Sequence, residues 1–214
     1  MSPVEMEDAV LFQEEPRRYL YRGKSYRSVT DRIQAVGFGP DFSYVKPAHL
    51  EYCRQRGNAI DEALIYHYEG DLKPGSVDPA IEQYFLAALK FDGECPGPIV
   101  AVHPRLCSEL LGVAGTPDLI RFIRGRRAVV DWKTGADNPL QTWMYMMLWN
   151  QAHPNHPAYE RYGLRLKPSG AYVLKEHNDP DDSYASMAIL TGNTLLIESY
   201  RRKYGNNGIR SQEH

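Results

Sequence analysis

The stretch "GTPDLIRFIRGRRAVVDWKTG", Gly115 to Gly135, decides how the chain folds. Two apolar runs meet at a short basic turn. Each carries one aspartate, Asp118 and Asp131, and the second adds Lys133. A two-residue hairpin loop at Arg124-Gly125 would set Asp118 directly opposite Asp131. Their Cβ atoms would then lie roughly 4.5–5.5 Å apart on one face of a sheet. Period-2 alternation places Val129, Asp131 and Lys133 on that face and Val130 with Trp132 on the other.

Two carboxylates this close repel, and burial raises the cost. Either one takes up a proton or a cation sits between them. Hard oxygen donors suit magnesium or manganese. A lysine beside such an ion can stabilise the charge that develops when a phosphodiester is attacked. The plainer alternative is an Asp-Lys ion pair with a second aspartate at the surface.

The 214-residue chain suits one domain with a sizeable core. Its formal net charge of -2 means that any nucleic-acid contact needs local positive charge. Cys53, Cys95 and Cys107 are widely spaced and form no CxxC pair, which disfavours a zinc ribbon or a disulfide scaffold. Free thiols and a cytoplasmic location are expected. The acidic start "MSPVEMEDAVLFQEEPRRYL" lacks the apolar region of a signal peptide. No run approaches the ~20 apolar residues of a membrane helix.

Outward from the hairpin, "NPLQTWMYMMLWNQA" (138–152) predicts a helix capped by Asn138. Trp143 and Trp149 on it read as core, and His153 and His156 as loop residues. "IVAVHPRL" (99–106) and "LLGVAGTPDLIRFI" (110–123) read as two strands before "RRAVVDW" (126–132). "RYGLRL" and "SGAYVLKEH" read as a hairpin around "KPSG", "DPDDS" as a loop, and "NTLLIESYRRKYG" as a last helix. Upstream, "SVTDRIQAVGF" predicts a short helix capped by Ser28 or Thr30. A longer helix over 47–70 is interrupted at Gly57, and another opens at Asp78 over 78–91. Residues 17–29 form a basic aromatic patch. The order indicates an α/β or α+β protein, a sheet with helices against it.

These residues resemble the PD-(D/E)XK nuclease superfamily, in its RecB-like exonuclease branch. The G-x-x-D, (D/E)-x-K and Q-x-x-x-Y motifs stand here as "GTPD", "DWK" and "QTWMY", the last from Gln141 to Tyr145. The likeness runs from about Tyr26 to the last helix. It implies an α/β fold with a restriction-endonuclease-like α-β-β-β-α-β core over 96–214, a central mixed sheet flanked by helices, preceded by a helical lead-in over 1–95. The chain departs from the branch at two places. Asp61 stands where a lead-in histidine is common, and His103 stands where the first strand often carries a glutamate. Both remain competent ligands, although Asp61 also reads as a solvated helix residue and His103 as a satisfied strand-end histidine. The cysteines do not suit the branch's iron-sulfur members, so no cluster is expected.

The resemblance implies a metal-dependent DNA nuclease using one or two magnesium or manganese ions. Asp118, Asp131 and the Trp132 carbonyl would be ligands, joined by His103 and Asp61. Lys133 would orient or activate the attacking water, and Gln141 and Tyr145 would contact the DNA backbone. Thr134 would shape the strand end. Arg22, Lys24 and Arg27, with Tyr21 and Tyr26, are the candidate DNA-binding groups, followed by Arg54 and Arg56. The "RRK" at 201–203 reads better as complementing a helix dipole. An exonuclease of linear DNA in recombination, repair or phage genome processing is expected, with a recombination or replication partner possible. A sequence-tolerant endonuclease and a catalytically silent binding or scaffold module stay open.

Overall fold

The computed structural model describes residues 10–13 and 18–205. The acidic N-terminal stretch up to Ala9, and Arg17 of the basic patch, lie outside them. Among the described residues, two mixed sheets are flanked by helices.

The larger sheet has the order β10-β9-β8-β7-β4. Its centre is β7 (Leu119–Ile123) and β8 (Arg126–Lys133), joined antiparallel. Arg124 and Gly125 both have positive φ, 50° and 80°. Two left-handed residues in a row make a two-residue turn whose twist matches the strands it joins. The register pairs Leu119 with Val130, so Asp118 lies one step before the ladder and opposite Asp131. Strand β9 (Glu160–Leu166) runs parallel to β8, and β10 (Tyr172–Glu176) closes that side as a hairpin with β9. β4 (Ile99–Val102) forms the other edge beside β7.

Both faces of this sheet are covered, which is why β8 reads as an almost unbroken apolar run. Ile120 and Val129 point to one face. There they pack beneath α4 (Pro139–Ala152), α1 (Val29–Ala35), α5 (Asp181–Thr191) and α6 (Thr194–Tyr204). Leu119, Val130, Trp132 and Leu164 point to the other, against α2 (Pro47–Glu69) and α3 (Glu82–Glu94). Each such aliphatic side chain contributes about 1.5–3 kcal/mol by leaving water. The caps follow the sequence: Ser28 and Asp31 form a capping box on α1. Asn138 accepts from the Leu140 and Gln141 amides at the start of α4.

The smaller sheet corrects several expectations. Its order is β1-β2-β3-β6-β5, built from β1 (Leu11–Gln13), β2 (Arg18–Tyr21), β3 (Lys24–Ser28), β5 (Leu106–Ser108) and β6 (Val113–Gly115). The expected helical lead-in therefore begins with strands. Tyr19, Tyr21 and Tyr26 fill a small core with Val10, Cys107 and Ala114. Arg22-Gly23 makes the same left-handed turn as Arg124-Gly125. The two runs expected as single strands, 99–106 and 110–123, are each split between the two sheets. A proline stands at each break, Pro104 and Pro117. Proline has no N–H for a ladder, so pairing stops there.

Three helix boundaries also differ. α2 runs through Gly57 without a break; one helical glycine costs only about 1 kcal/mol. α3 starts at Glu82 and not at Asp78, because Asp78 closes a separate turn with the Ala80 and Ile81 amides. "DPDDS" is not all loop: α5 begins at Asp181, with Asp181 and Asp182 in its first turn, where acids suit the helix dipole.

Candidate functional site

The site lies where the chain passes between the two sheets. One crossing leaves β4 at His103; the other leaves β6 through Thr116 and Pro117 to Asp118. The crossings touch, since the His103 amide donates to the Asp118 carbonyl at 3.0 Å. His103 takes a left-handed φ of 47°. For a side chain other than glycine this costs on the order of 1 kcal/mol or more. Its ring stacks on the Trp132 indole at 5.5 Å, and Nε2 comes to 3.6 Å from Asp118 Oδ1.

The side chains of Asp118 and Asp131 converge. Lys133 Nζ stands 3.8 Å from Asp118 Oδ2 and 2.9 Å from Asp131 Oδ2. The Trp132 amide donates to Asp118 Oδ2 at 2.8 Å, which ties Asp118 to β8. A strand residue directs its N–H and C=O to the same neighbour, so the Trp132 carbonyl faces that edge too. Asp131 is only 1% exposed. Lys133 is its one close donor among the described residues, and nothing else there reaches either carboxylate oxygen. His103 Nε2 is buried without a hydrogen-bond partner. Asp61, on α2, accepts from the Trp132 indole N–H at 2.7 Å.

The electrostatics follow from this crowding. Burial pushes the Asp118 carboxyl well above the ordinary range; Lys133 pulls it back, while Asp131 and Asp61 push it further up. Burial, with Lys133 and Arg105, lowers His103 to about 4, which leaves its imidazole neutral near pH 7. Burial alone would lower Lys133, but Asp131 and Asp118 overcome it and raise the ammonium above its usual value.

Helix α4 brings Gln141 and Tyr145 to the same place. Gln141 Nε2 donates to the Tyr145 hydroxyl at 2.9 Å. Tyr145 is buried, and its hydroxyl is raised by that burial and by the charge of Asp131. Gly115 explains itself here. A Cβ on it would stand 2.6 Å from Tyr145 Cε1 and 3.1 Å from Val29 Cγ2. The glycine of "GTPD" thus makes room for the tyrosine of "QTWMY".

The expected DNA-binding cations are scattered. Arg22 is exposed at its turn and paired with Glu109 at 3.5 Å. Lys24 and Arg27 are exposed on β3, while the rings of Tyr21 and Tyr26 are buried. Arg54 is paired with Glu51, and Arg56 lies over the Tyr52 and Tyr84 rings. Thr134 is half-buried just after β8. Arg201 and Lys203 of α6 engage Glu198 and Asp181.

Sequence reasoning missed a second polar cluster beside the first. His177, just past β10, engages Thr142 Oγ1 through Nδ1 at 2.9 Å and Asp137 through Nε2. Asp137 also pairs with Lys175 at 3.7 Å. Its carboxylate fills the space above Gly163, where a Cβ would meet it at 2.7–3.0 Å. The register places Gly163 between Asp131 and Lys175. Alternation along β9 and β10 was the available signal: Tyr162, Leu164 and Leu166 face α2 and α3, so Arg161, Gly163 and Arg165 must face α4.

The donors fit a hard divalent cation. Asp131 has two buried acceptor atoms with Lys133 as their one close donor among the described residues, and Asp118 stands opposite it. Among the described residues no three His, Cys, Asp or Glu side chains gather closely enough to hold a metal. Two carboxylates are nevertheless the usual protein share for magnesium, which keeps several waters and takes further oxygens from substrate phosphates.

No protein-family model matches this chain, and no curated protein matches it. Solved structures distantly similar to it include the following two. One, described as SSO0001, is 16% identical, with 72% of this chain and 78% of that chain covered and a TM-score of 0.28. The other is an alkaline exonuclease (LHK-Exo) from Laribacter hongkongensis, 13% identical, with 81% and 96% covered and a TM-score of 0.30. Neither likeness is close enough to transfer a role. No helix among the described residues is long and apolar enough to cross a membrane.

Proposed function

We propose that this protein is a metal-dependent DNA nuclease of the PD-(D/E)XK type and RecB-like branch, acting as an exonuclease on linear DNA. One observation carries the proposal. Two buried aspartates converge on one lysine, and the Lys133 ammonium, 2.9 Å from Asp131 Oδ2, is the one donor near the Asp131 carboxylate among the described residues. Two buried carboxylates held by one ammonium are costly to a fold. A ligand that supplies positive charge removes the cost.

Asp118, Asp131 and the Trp132 carbonyl would hold one or two magnesium or manganese ions, with His103 beside them. The bound ion would supply Lewis-acid stabilisation of the phosphate oxygens. Lys133 would donate to the attacking water and to the charged phosphorane oxygens. The water oxygen would form the new bond to phosphorus and lose its proton to solvent, and the P–O3′ bond would break with O3′ taking up a proton from solvent, which leaves a 3′-hydroxyl and a 5′-phosphate. Gln141 and the Tyr145 hydroxyl would contact the strand at the scissile phosphate. Asp61 would act through the Trp132 indole, holding the ring on which His103 stacks. The biological setting would be recombination, repair or phage genome processing.

One other reading is a silent nucleic-acid-binding module: Asp61, the third acid near Asp118, accepts from the Trp132 indole, and no three ligating side chains gather among the described residues. A single assay separates the two. Linear single-stranded DNA, linear duplex and a covalently closed circle are incubated with magnesium or manganese, with the native chain and with Lys133→Ala. Metal-dependent loss of linear DNA alone, abolished in the variant, supports the exonuclease. Cleavage of the circle would make it an endonuclease. Binding without cleavage in either metal overturns the enzyme.

A further inference from the structure

The acid pair must attract a polyanion, and Lys133 alone cannot balance two carboxylates. A phosphate backbone approaching Asp118 and Asp131 needs a further cation at the same end of the same sheet face. The β8–β9 register supplies one. Lys133 is the Cα partner of Arg165 on the neighbouring parallel strand. Adjacent strands lie about 4.8 Å apart, so the two side chains leave the sheet side by side. Their shared face is fixed independently, because Leu164 and Leu166 are buried against α2 and α3 while Arg161 donates to the Pro139 carbonyl of α4.

Arg165 is exposed, and among the described residues it forms no ion pair. Arg105, beside His103, is also exposed and in no ion pair there, but it lies on the chain crossing between the sheets, whereas Arg165 shares the sheet face of Lys133. Lys175, on the same face and one strand further out, is committed to Asp137. Arg22 and Arg54 are committed to Glu109 and Glu51 and lie on other elements. A guanidinium also suits this task better than an ammonium, since its fork can make two parallel hydrogen bonds to one phosphate.

We propose that Arg165 grips the backbone phosphate next to the one cleaved, so that the nucleic acid crosses from the acid pair over β9 toward β10. This rests on the nuclease assignment, but its test does not depend on cleavage. Binding of a fluorescein-labelled single-stranded DNA and of a duplex is measured against salt concentration in EDTA. The native chain, Arg165→Ala, Arg165→Lys and the control Lys90→Ala, on the surface of α3, are compared. Loss of one phosphate contact reduces the slope of log K against log salt by about 0.7 for single strands or about 0.9 for duplex. Arg165→Ala is expected to show that reduction, Arg165→Lys to restore the slope with weaker affinity, and Lys90→Ala to match the native chain. If cleavage is seen, Arg165→Ala raises KM with little change in kcat. An unchanged salt slope in Arg165→Ala, or no DNA binding by the native chain, overturns the proposal. A reduced slope in EDTA, with no cleavage when magnesium or manganese is then supplied, would sink the nuclease assignment and leave this contact standing.

Discussion

Two polar clusters sit one strand apart on the same sheet face, and they are completed in opposite ways. Around His177 every partner is present. Both ring nitrogens are engaged, Asp137 is held by His177 and Lys175, and Arg161 reaches the Pro139 carbonyl and Asp182. Asp182 in turn accepts from Tyr200. Around Asp131 the donors are too few: two buried acids share one lysine. Satisfied buried networks stabilise a fold, whereas unsatisfied ones cost it. The first cluster therefore belongs to stability: it locks β10 to the loop before α4 and to Thr142, the neighbour of Gln141. The second belongs to ligand binding.

The sharpest way to break this contrast is Asp118→Asn. The amide oxygen can still accept from the Trp132 N–H, and Lys133 keeps Asp131 as its one counter-ion. Cleavage should fall by at least about 100-fold. Unfolding free energy in EDTA should stay level or rise by about 1–2 kcal/mol, because one of two crowded buried charges is gone. Denaturant titration beside a cleavage time course checks both. A variant that loses stability and keeps activity would reverse the roles of the two clusters.

His177→Ala probes the other side. It strips partners from Thr142 and Asp137 at once and should destabilise by about 2–4 kcal/mol. Any activity lost should return in part at low temperature, where the fold recovers. If stability is untouched, the His177 cluster is not the structural one.

Gly115→Ala tests the link between the motifs. The new methyl must displace the Tyr145 ring or Val29, a strain costing about 1–3 kcal/mol. Pairing it with Tyr145→Leu should relieve part of that strain, so the double variant should be more stable than the sum of the single effects. Strict additivity would mean that Gly115 and Tyr145 do not depend on each other.

The sequence made one of these clusters legible and hid the other, for a physical reason. The Asp118–Asp131 apposition follows from local rules: a left-handed Arg-Gly turn, two-fold alternation and a short loop. The α4 cap, the Gly70 and Gly205 helix ends and the β9–β10 hairpin were legible in the same way. What stayed hidden depends on distant pairing. Asp137 over Gly163 depends on how β9 stacks beside β8, and a parallel crossover leaves no mark in neighbouring residues. The smaller sheet was hidden because β5 and β6 are three residues each, too short for a period. The basic residues around Tyr19, Tyr21 and Tyr26 also resembled a surface patch, although those rings point inward.

The smallest effect, and the most direct comparison of signs, is the pH dependence of stability in EDTA. Burial alone would raise the Asp137 carboxyl, but the hydrogen bond and charge of His177, then Lys175, hold it down at about 2. An unfolded aspartate titrates near 3.9. As pH falls, the unfolded chain takes up this proton first, so the stabilisation is complete above about pH 4 and fades toward pH 2. Asp118 carries the opposite sign. Its folded carboxyl lies above the ordinary range, so the native chain protonates first and gains stability as pH falls toward the unfolded value. Chemical denaturation between pH 7 and pH 2.5 should therefore show two departures. Asp118→Asn loses a gain that the native chain makes on mild acidification, and Asp137→Asn loses a decline that the native chain suffers below pH 4. If both variants shifted the curve in the same direction, the two clusters would share one electrostatic character, and the division between a completed network and a waiting site would fail.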